Sequence, residues 1–282
     1  MQNLYVGLFL ALVSAVAVNW AYTREHDAAA EMPPFSAHHP VRFVRLLLGS
    51  RNWLLGFGTE TAGWLVYVGA LRLAPLSLVQ AVSASGIAVL AFLTAHGHPS
   101  RLARREQLAV LLAVAGLVLL AVSLVGTHQS DRVPAWDAAA LWLGASAGGA
   151  VALGVLKLPL ARGAALGLAA GLLFASGDMS AKLIVYGGWW FLALLSLIAC
   201  YALGTSFLQA GFQHADALTA AGLATLATNA VPIAAGFVIF GERLPHGAKG
   251  ALQLASFACL VTSAVFLGRS ARGARHAAAE ST

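Results

Sequence analysis

Three ionisable side chains, Glu60, Asp178 and Lys182, interrupt the long apolar runs of this sequence. Glu60 lies close to the middle of the run 52–72. If that run crosses a membrane, a carboxylate at its centre costs about 2.5–3.5 kcal/mol, so the side chain must face other helices or water. Two interpretations follow: Glu60 is a cation ligand or protonatable coupling site in a pathway, or it is a protonated structural carboxyl bonded to a neighbouring helix.

Asp178 and Lys182 are four residues apart, so on a helix they share one face and can form an ion pair. That pair is either structural or part of a pathway. If Lys182 binds elsewhere, Asp178 becomes a second acidic ligand. Glu60 and Asp178 are therefore the residues that we expect at a metal site.

Asn229 lies near the middle of the run 217–240, with Thr225, Thr228 and Pro232 around it. Pro232 cannot donate to the carbonyl of Thr228, which leaves a free acceptor. Kinked helices with free carbonyls commonly line transport sites. The segment is therefore a candidate pathway, or else a packing kink that the threonine hydroxyls satisfy.

Polar residues elsewhere in the apolar runs are weaker candidates. Gln80 and Ser83 could line the pathway, but such residues also join membrane helices by hydrogen bonds. Gly241, Glu242 and Arg243 follow the run 217–240, and we expect the Glu–Arg pair to fix the loop there.

The composition gives the class of protein that must hold these residues. Of 282 residues, 59% are hydrophobic and 10% are charged, and the mean hydropathy is +0.79. Soluble domains carry about 25% charged residues, so a soluble enzyme, a disordered chain and a nucleic-acid binder are excluded. No intramembrane histidine pair or HExxH motif is present, so we expect neither an enzyme nor a cofactor.

Nine apolar runs are each about long enough to cross a bilayer. They are 2–22, 52–72, 75–95, 107–126, 138–156, 164–185, 188–211, 217–240 and 249–268. Residues 23–40 are predicted to be loop. Residues near 41–51 are predicted to form a short in-plane helix, or else the frayed start of the second run. The basic tail 269–282 is predicted to be disordered and cytoplasmic. The excess of Lys and Arg on one side places the N-terminus outside a bacterial-type inner membrane and the C-terminus in the cytoplasm.

The chain also contains a weak internal repeat. Residues 67–81 (YVGALRLAPLSLVQA) align without gaps to residues 207–221 (FLQAGFQHADALTAA). Runs one to four then correspond to runs six to nine, an offset of five, so equivalent helices cross in opposite directions. This predicts an all-α polytopic protein with an inverted repeat: residues 1–126, a linking helix in 127–156, and residues 157–268.

The same segments resemble the drug/metabolite transporter (DMT) superfamily, which implies its inverted-repeat fold with four plus five helices. Pro232 followed by Gly241-Glu242-Arg243 looks like the EamA-type helix end. Gly7-Leu8, then Glu60, Ala74-Pro75 and Leu78-Val79 resemble NIPA-type magnesium transporters. That resemblance implies magnesium as the substrate.

We therefore expect a secondary transporter that moves a small solute, such as a divalent cation, across the bilayer by alternating access. An EamA-type exporter of metabolites or drugs and a non-transporting membrane scaffold are the alternatives. The lipid bilayer and the solute are the expected partners, nucleic acid is not, and a homodimer stays open.

Overall fold

The computed structural model describes residues 2–33, 40–73, 79, 82–83, 86–95, 102–124, 135–156, 161–184, 187–239 and 247–280. Within these residues the chain forms ten α-helices, one 3-10 helix at Gly188–Leu192 and no strand, which confirms the all-α class. The α-helices are α1 (Gln2–Ala30), α2 (Pro40–Gly49), α3 (Arg51–Leu73), α4 (Gly86–Thr94), α5 (Arg104–Leu124), α6 (Trp136–Val155), α7 (Arg162–Ile184), α8 (Ala193–Phe212), α9 (Ala217–Ile239) and α10 (Ala248–Glu280).

Five of the described helices contain a segment long and apolar enough to cross a membrane. These segments are Leu4–Ala30, Trp136–Val155, Arg162–Ala181, Ala193–Phe212 and Ala248–Leu267. Large apolar side chains cover the outside of these helices; Leu141 and Leu254, for example, are 75% and 72% exposed. Such a surface suits lipid and not water, so the protein is a multi-pass membrane protein. Nine crossings stay a prediction.

Small residues bring the helices of each half close together. In the first half α1 packs against α3 and α4, and in the second half α7 packs against α8 and α9. α5 packs against α10, where the Ser263 hydroxyl donates to the Ala109 carbonyl at 2.7 Å. In each half, then, the first long helix packs against two later ones. The inverted symmetry of the two halves stays a prediction.

Helix α1 is longer than its apolar run. It continues to Ala30, although residues 23–40 are predicted above to be loop. Residues 24–30 (REHDAAA) include helix formers such as Arg, Glu and Ala, and they contain no Gly or Pro. The helix therefore continues past residue 22, where the apolar run ends. The extension, residues 23–30, adds about two turns to α1.

Helix α10 is also longer than predicted, since it runs to Glu280 where the sequence analysis expects a disordered tail. Residues 269–280 are rich in Ala and Arg, which favour helix. The short helix predicted near 41–51 matches α2, whose Leu47 is buried against Ala28 and Trp53. Its position at the membrane surface stays a prediction.

Candidate functional site

Two glycines and a serine let α1 and α3 approach closely. A Cβ atom on Gly56 would lie 2.8 Å from Cγ of Glu25 and 3.2 Å from the Ala21 carbonyl oxygen. Seven residues further along α3, the Gly63 carbonyl accepts a 2.7 Å hydrogen bond from the Ser14 hydroxyl. The close contact brings the polar end of α1 against the middle of α3.

Two carboxyl groups meet at this contact. Glu25 of α1 is only 1% exposed, and its side chain lies in electrostatic contact with Glu60 of α3, while Tyr22, one turn before Glu25, contacts both. The neighbouring Arg24 points to another face of α1, where its guanidinium lies 5.0 Å from the centre of the Trp20 ring. Among the described residues, the two charged side chains that this contact brings together are both acidic.

Helix α8 contributes two glutamines, one turn apart, to the end of α1. Nε2 of Gln209 donates a hydrogen bond to Oε2 of Glu25, and the Gln209 side chain is fully buried. Nε2 of Gln213 donates to the carbonyl oxygens of Ala29 at 3.0 Å and Pro33 at 3.1 Å. Gln209 thus contacts the carboxylate, whereas Gln213 fastens the backbone where α1 ends.

A second polar contact joins α7 to α8. The Tyr201 hydroxyl donates to Oδ1 of Asp178 at 2.6 Å, and the Tyr201 ring lies 5.6 Å from that of Phe174. The ring fits because Gly177 has no Cβ; one would lie 2.6 Å from Cδ2 of Tyr201. Tyr67 of α3 lies close enough to Asp178 to interact with it electrostatically.

We name this group of interacting side chains the polar seam. It lies between α1 and α3 of the first half and α8 and α7 of the second, because Tyr201 also interacts with Glu60. From Glu60 to Tyr67 the seam covers about 10 Å along α3, at 1.5 Å per residue. Its members are Tyr22, Glu25, Glu60, Tyr67, Asp178, Tyr201 and Gln209.

The seam contains three carboxyl groups and no described counter-ion. Among the described side chains, no Lys, Arg or His forms an ion pair with Glu25, Glu60 or Asp178. The same residues also contain no cluster of three or more His, Cys, Asp and Glu side chains that could hold a metal ion by themselves.

The predicted pair of Asp178 and Lys182 is described only in part. Both residues lie on α7, but the side chain of Lys182 is outside the described part of the structure. Asp178 is half-buried, and its Oδ1 atom is bonded to Tyr201. Whether Lys182 pairs with Asp178 stays a prediction.

The candidate segment of α9 faces α7. Nδ2 of Asn229 donates to the Thr225 carbonyl at 2.8 Å, within its own helix. The Thr228 hydroxyl donates to the Ala224 carbonyl at 2.9 Å. α9 continues through Pro232 to Ile239, and no described contact joins Asn229 to Glu60. A pathway role for Asn229, Thr225 and Thr228 stays a prediction.

The remaining predicted residues fall largely outside the described structure. Gln80, Gly241, Glu242 and Arg243 are not among the described residues. Ser83 is helical, and its Oγ atom is buried with no hydrogen-bond partner. It lies on the segment before α4, and nothing described joins it to the polar seam.

Sequence reasoning found Glu60 and Asp178 but missed Glu25, Gln209 and Tyr201. Glu25 was missed because hydropathy falls before it and the segment was interpreted as loop. Its signal was the helix-forming stretch after residue 22, which keeps Tyr22 and Glu25 on one face at a spacing of three. Gln209 lies inside the apolar run 188–211, where an amide side chain is uncommon, and this signal could have marked it as a site residue.

Comparisons with known proteins give one informative relative. No protein-family model and no solved structure matches the chain. The chain is 24% identical, over an aligned length of 307 residues, to a protein of Arabidopsis thaliana named "Probable magnesium transporter NIPA9". The similarity covers 97% of this chain and 85% of that protein, so it includes every element of the polar seam.

Proposed function

We propose that the protein is a secondary transporter of the DMT type that carries a small cation, Mg²⁺ in the first place, across the membrane by alternating access. One observation carries the proposal: three carboxyl groups lie along a seam between α1 and α3 of one half and α7 and α8 of the other, with no cationic partner among the described side chains. The similarity to a probable magnesium transporter over nearly the whole chain supports it.

A cation is the ligand that the charge of the seam favours. Ionised carboxylates inside a membrane protein are costly unless a positive charge compensates them, and intramembrane acidic residues commonly mark ion pathways. Mg²⁺ binds oxygen ligands, uses one or two carboxylates and keeps several waters. Glu60 beside Glu25 offers such a pair of carboxylates without a full protein cage.

Alternating access is favoured by the position of the seam. Transporters with inverted repeats bind substrate where the repeats meet, and rocking of one half against the other exposes the site to each side in turn. Here α1 and α3 come from one half, and α7 and α8 from the other. The proposal includes the inner membrane, an external N-terminus and a cytoplasmic C-terminus.

An exporter of metabolites is the second candidate, and the aromatic groups beside Asp178 support it. Phe174 and Tyr201 pack together there, and Tyr67 lies nearby. Such rings could bind an organic solute that carries a positive charge. Trp64 of α3 is 56% exposed on the outside of the helix, so it is not part of this aromatic group.

Flux into liposomes tests the proposal. We would reconstitute the wild type, Glu60→Gln and the control Glu106→Gln, and follow Mg²⁺ entry with an enclosed fluorescent indicator. Glu106 is also a glutamate, but it lies at the start of α5, where it accepts a 2.9 Å hydrogen bond from the Ala103 amide.

We expect Mg²⁺ entry with the wild type and Glu106→Gln, and a loss of about tenfold or more with Glu60→Gln, since a charge-assisted contact is worth roughly 1.5–3 kcal/mol. No entry with folded wild type would reject Mg²⁺ transport and favour the metabolite exporter, to be tested with organic cations under a proton gradient. Undiminished flux with Glu60→Gln would leave transport in place but reject the role of Glu60.

A further inference from the structure

Two buried oxygen atoms in the polar seam have no hydrogen-bond partner. They are Oε1 of Glu25 and Oε1 of Gln209, on side chains that are 1% and 0% exposed. Their other polar atoms, Oε2 of Glu25 and Nε2 of Gln209, bond to each other. Buried polar atoms nearly always have a partner, so two orphaned acceptors on one bonded pair require an explanation.

The local balance of donors and acceptors shows what kind of partner is missing. The Gln209 amide donates one hydrogen bond to the Glu25 carboxyl group, and the other oxygen of each side chain is left as an acceptor. Glu60, the next carboxyl group, adds further acceptors. The Tyr22 hydroxyl is hydrogen-bonded to Glu60, and the carboxyl groups of Glu60 and Glu25 are in hydrogen-bond contact with each other. Even with these contacts, the cluster has more acceptor atoms than its own donors can satisfy.

We propose that Glu25 and Gln209 bind the transported divalent cation together with Glu60, Glu25 through Oε1 and Gln209 through its amide oxygen. This inference rests on the proposed function. Two carboxylates balance the charge of one divalent ion, and an amide oxygen is a neutral ligand that hard cations accept. Water completes the shell, which agrees with the lack of a protein-only metal cluster in the described residues.

This ligand set draws on both halves of the molecule. Glu25 and Glu60 belong to α1 and α3, whereas Gln209 belongs to α8. A bound cation therefore holds the two halves together at this end of the seam. Gln213, one turn beyond Gln209 and just past the end of α8, donates to the carbonyl oxygens of Ala29 and Pro33 and is not part of the proposed ligand set.

The two glutamines give a matched pair of variants. We would place the full-length wild type, Glu25→Gln, Gln209→Met and Gln213→Met in lipid nanodiscs and titrate Mn²⁺ by electron paramagnetic resonance. Mn²⁺ serves as a paramagnetic probe for an oxygen site, and excess Mg²⁺ tests competition. Met keeps the length of Gln and removes its polar atoms, and thermal unfolding checks that each variant is folded.

We expect Glu25→Gln and Gln209→Met to weaken Mn²⁺ binding by at least about tenfold, as changes within or next to a metal shell commonly do. Gln213→Met should keep the wild-type affinity while its unfolding temperature falls. If Glu25→Gln does not fold, Glu25→Asp replaces it: the carboxylate is retained one methylene short, and weakened binding is again expected.

The outcomes separate this inference from the proposed function. Wild-type affinity in folded Glu25→Gln and Gln209→Met, with Mg²⁺ flux intact, would overturn the inference alone. Equal loss in Gln213→Met would also overturn it, because the effect would then follow from the α1–α8 contact in general. A wild type that neither binds Mn²⁺ nor transports Mg²⁺ would overturn both.

Discussion

The two ends of the polar seam hold their carboxyl groups in different ways. At one end, Glu25 is sealed from solvent, adjoins a second carboxyl group and keeps an unpartnered oxygen. At the other end, Asp178 is half-buried and accepts a short hydrogen bond from Tyr201. The first arrangement places two carboxyl groups together, which a cation could bridge, whereas the second gives one carboxyl group a hydrogen bond from a neutral hydroxyl.

We infer from this difference that the two ends of the seam have different roles, one in binding the cation and the other in its passage. Mg²⁺ is bound through one or two carboxylates, so we expect the pair at the Glu25–Glu60 end to bind it more tightly than the single carboxyl group of Asp178. The Glu25–Glu60 end is therefore the binding end in our account, and the Asp178–Tyr201 end is its approach. Variants at the first end should change cation affinity, and variants at the second should change the rate of transport.

Removal of both carboxyl charges at the binding end should have the largest effect. A ligand present at 100 times its dissociation constant stabilises a protein by about 2.7 kcal/mol. In the double variant Glu25→Gln/Glu60→Gln we expect the Mg²⁺-dependent rise in unfolding temperature to disappear. A scan of wild type, single and double variants at several Mg²⁺ concentrations checks this.

Asp178→Asn is the matched change at the other end of the seam. It should leave most of the Mg²⁺-dependent stabilisation in place. An equal loss in Asp178→Asn would contradict the division between a binding end and an approach.

Gly56→Ala should disturb the binding end next most strongly. Its new Cβ would lie 2.8 Å from Cγ of Glu25 and 3.2 Å from the Ala21 carbonyl oxygen, so α3 must move away from α1. Overpacking of this kind costs about 1–3 kcal/mol. We expect a lower unfolding temperature and slower Mg²⁺ flux, measured in the same liposomes.

Gly58→Ala is the control on the same helix. A Cβ on Gly58 has nothing within 4 Å, and Ala favours helix over Gly by about 0.5–1 kcal/mol. Its stability should therefore rise slightly or stay unchanged. An equal fall in unfolding temperature and Mg²⁺ flux for both substitutions would contradict this prediction, because the effect of Gly56→Ala would then not depend on its contact with Glu25.

Much of this architecture could be predicted from the sequence. Each of the nine apolar runs contains a described helix, because hydropathy reports burial in lipid directly. Glu60 was singled out for the same reason, as a charge inside an apolar run. Its partner Glu25 was not, since it lies beyond the apolar run and hydropathy says nothing about a helix that continues into polar sequence.

The contacts between particular helices could not be predicted from the sequence either. Tyr201 joins the seam because Gly177 leaves room for its ring, and Glu25 lies against α3 because Gly56 has no Cβ. The spacing of such residues predicts close packing somewhere, but it does not say which helix is the neighbour. Without that neighbour, Glu60 and Asp178 could only be treated as separate candidates.

Tyr201→Phe should have the smallest effect. It removes one hydrogen bond to Asp178, with a net contribution of about 0.5–1.5 kcal/mol. We expect the Mg²⁺ transport rate to change by about two- to tenfold, with Mn²⁺ affinity close to that of the wild type. Tyr5→Phe, on a side chain that is 68% exposed, is the matched control. A loss of Mn²⁺ affinity in Tyr201→Phe would move the binding site toward Asp178.

The most direct test of the central claim is the initial rate of Mg²⁺ entry for Glu25→Gln, measured in liposomes beside the wild type and Glu106→Gln. Our account predicts a fall of about tenfold or more for Glu25→Gln at an unchanged amount of folded protein, and a wild-type rate for Glu106→Gln. A wild-type rate for folded Glu25→Gln would contradict it, because the cation would then cross the membrane without the buried carboxylate on which the binding end depends.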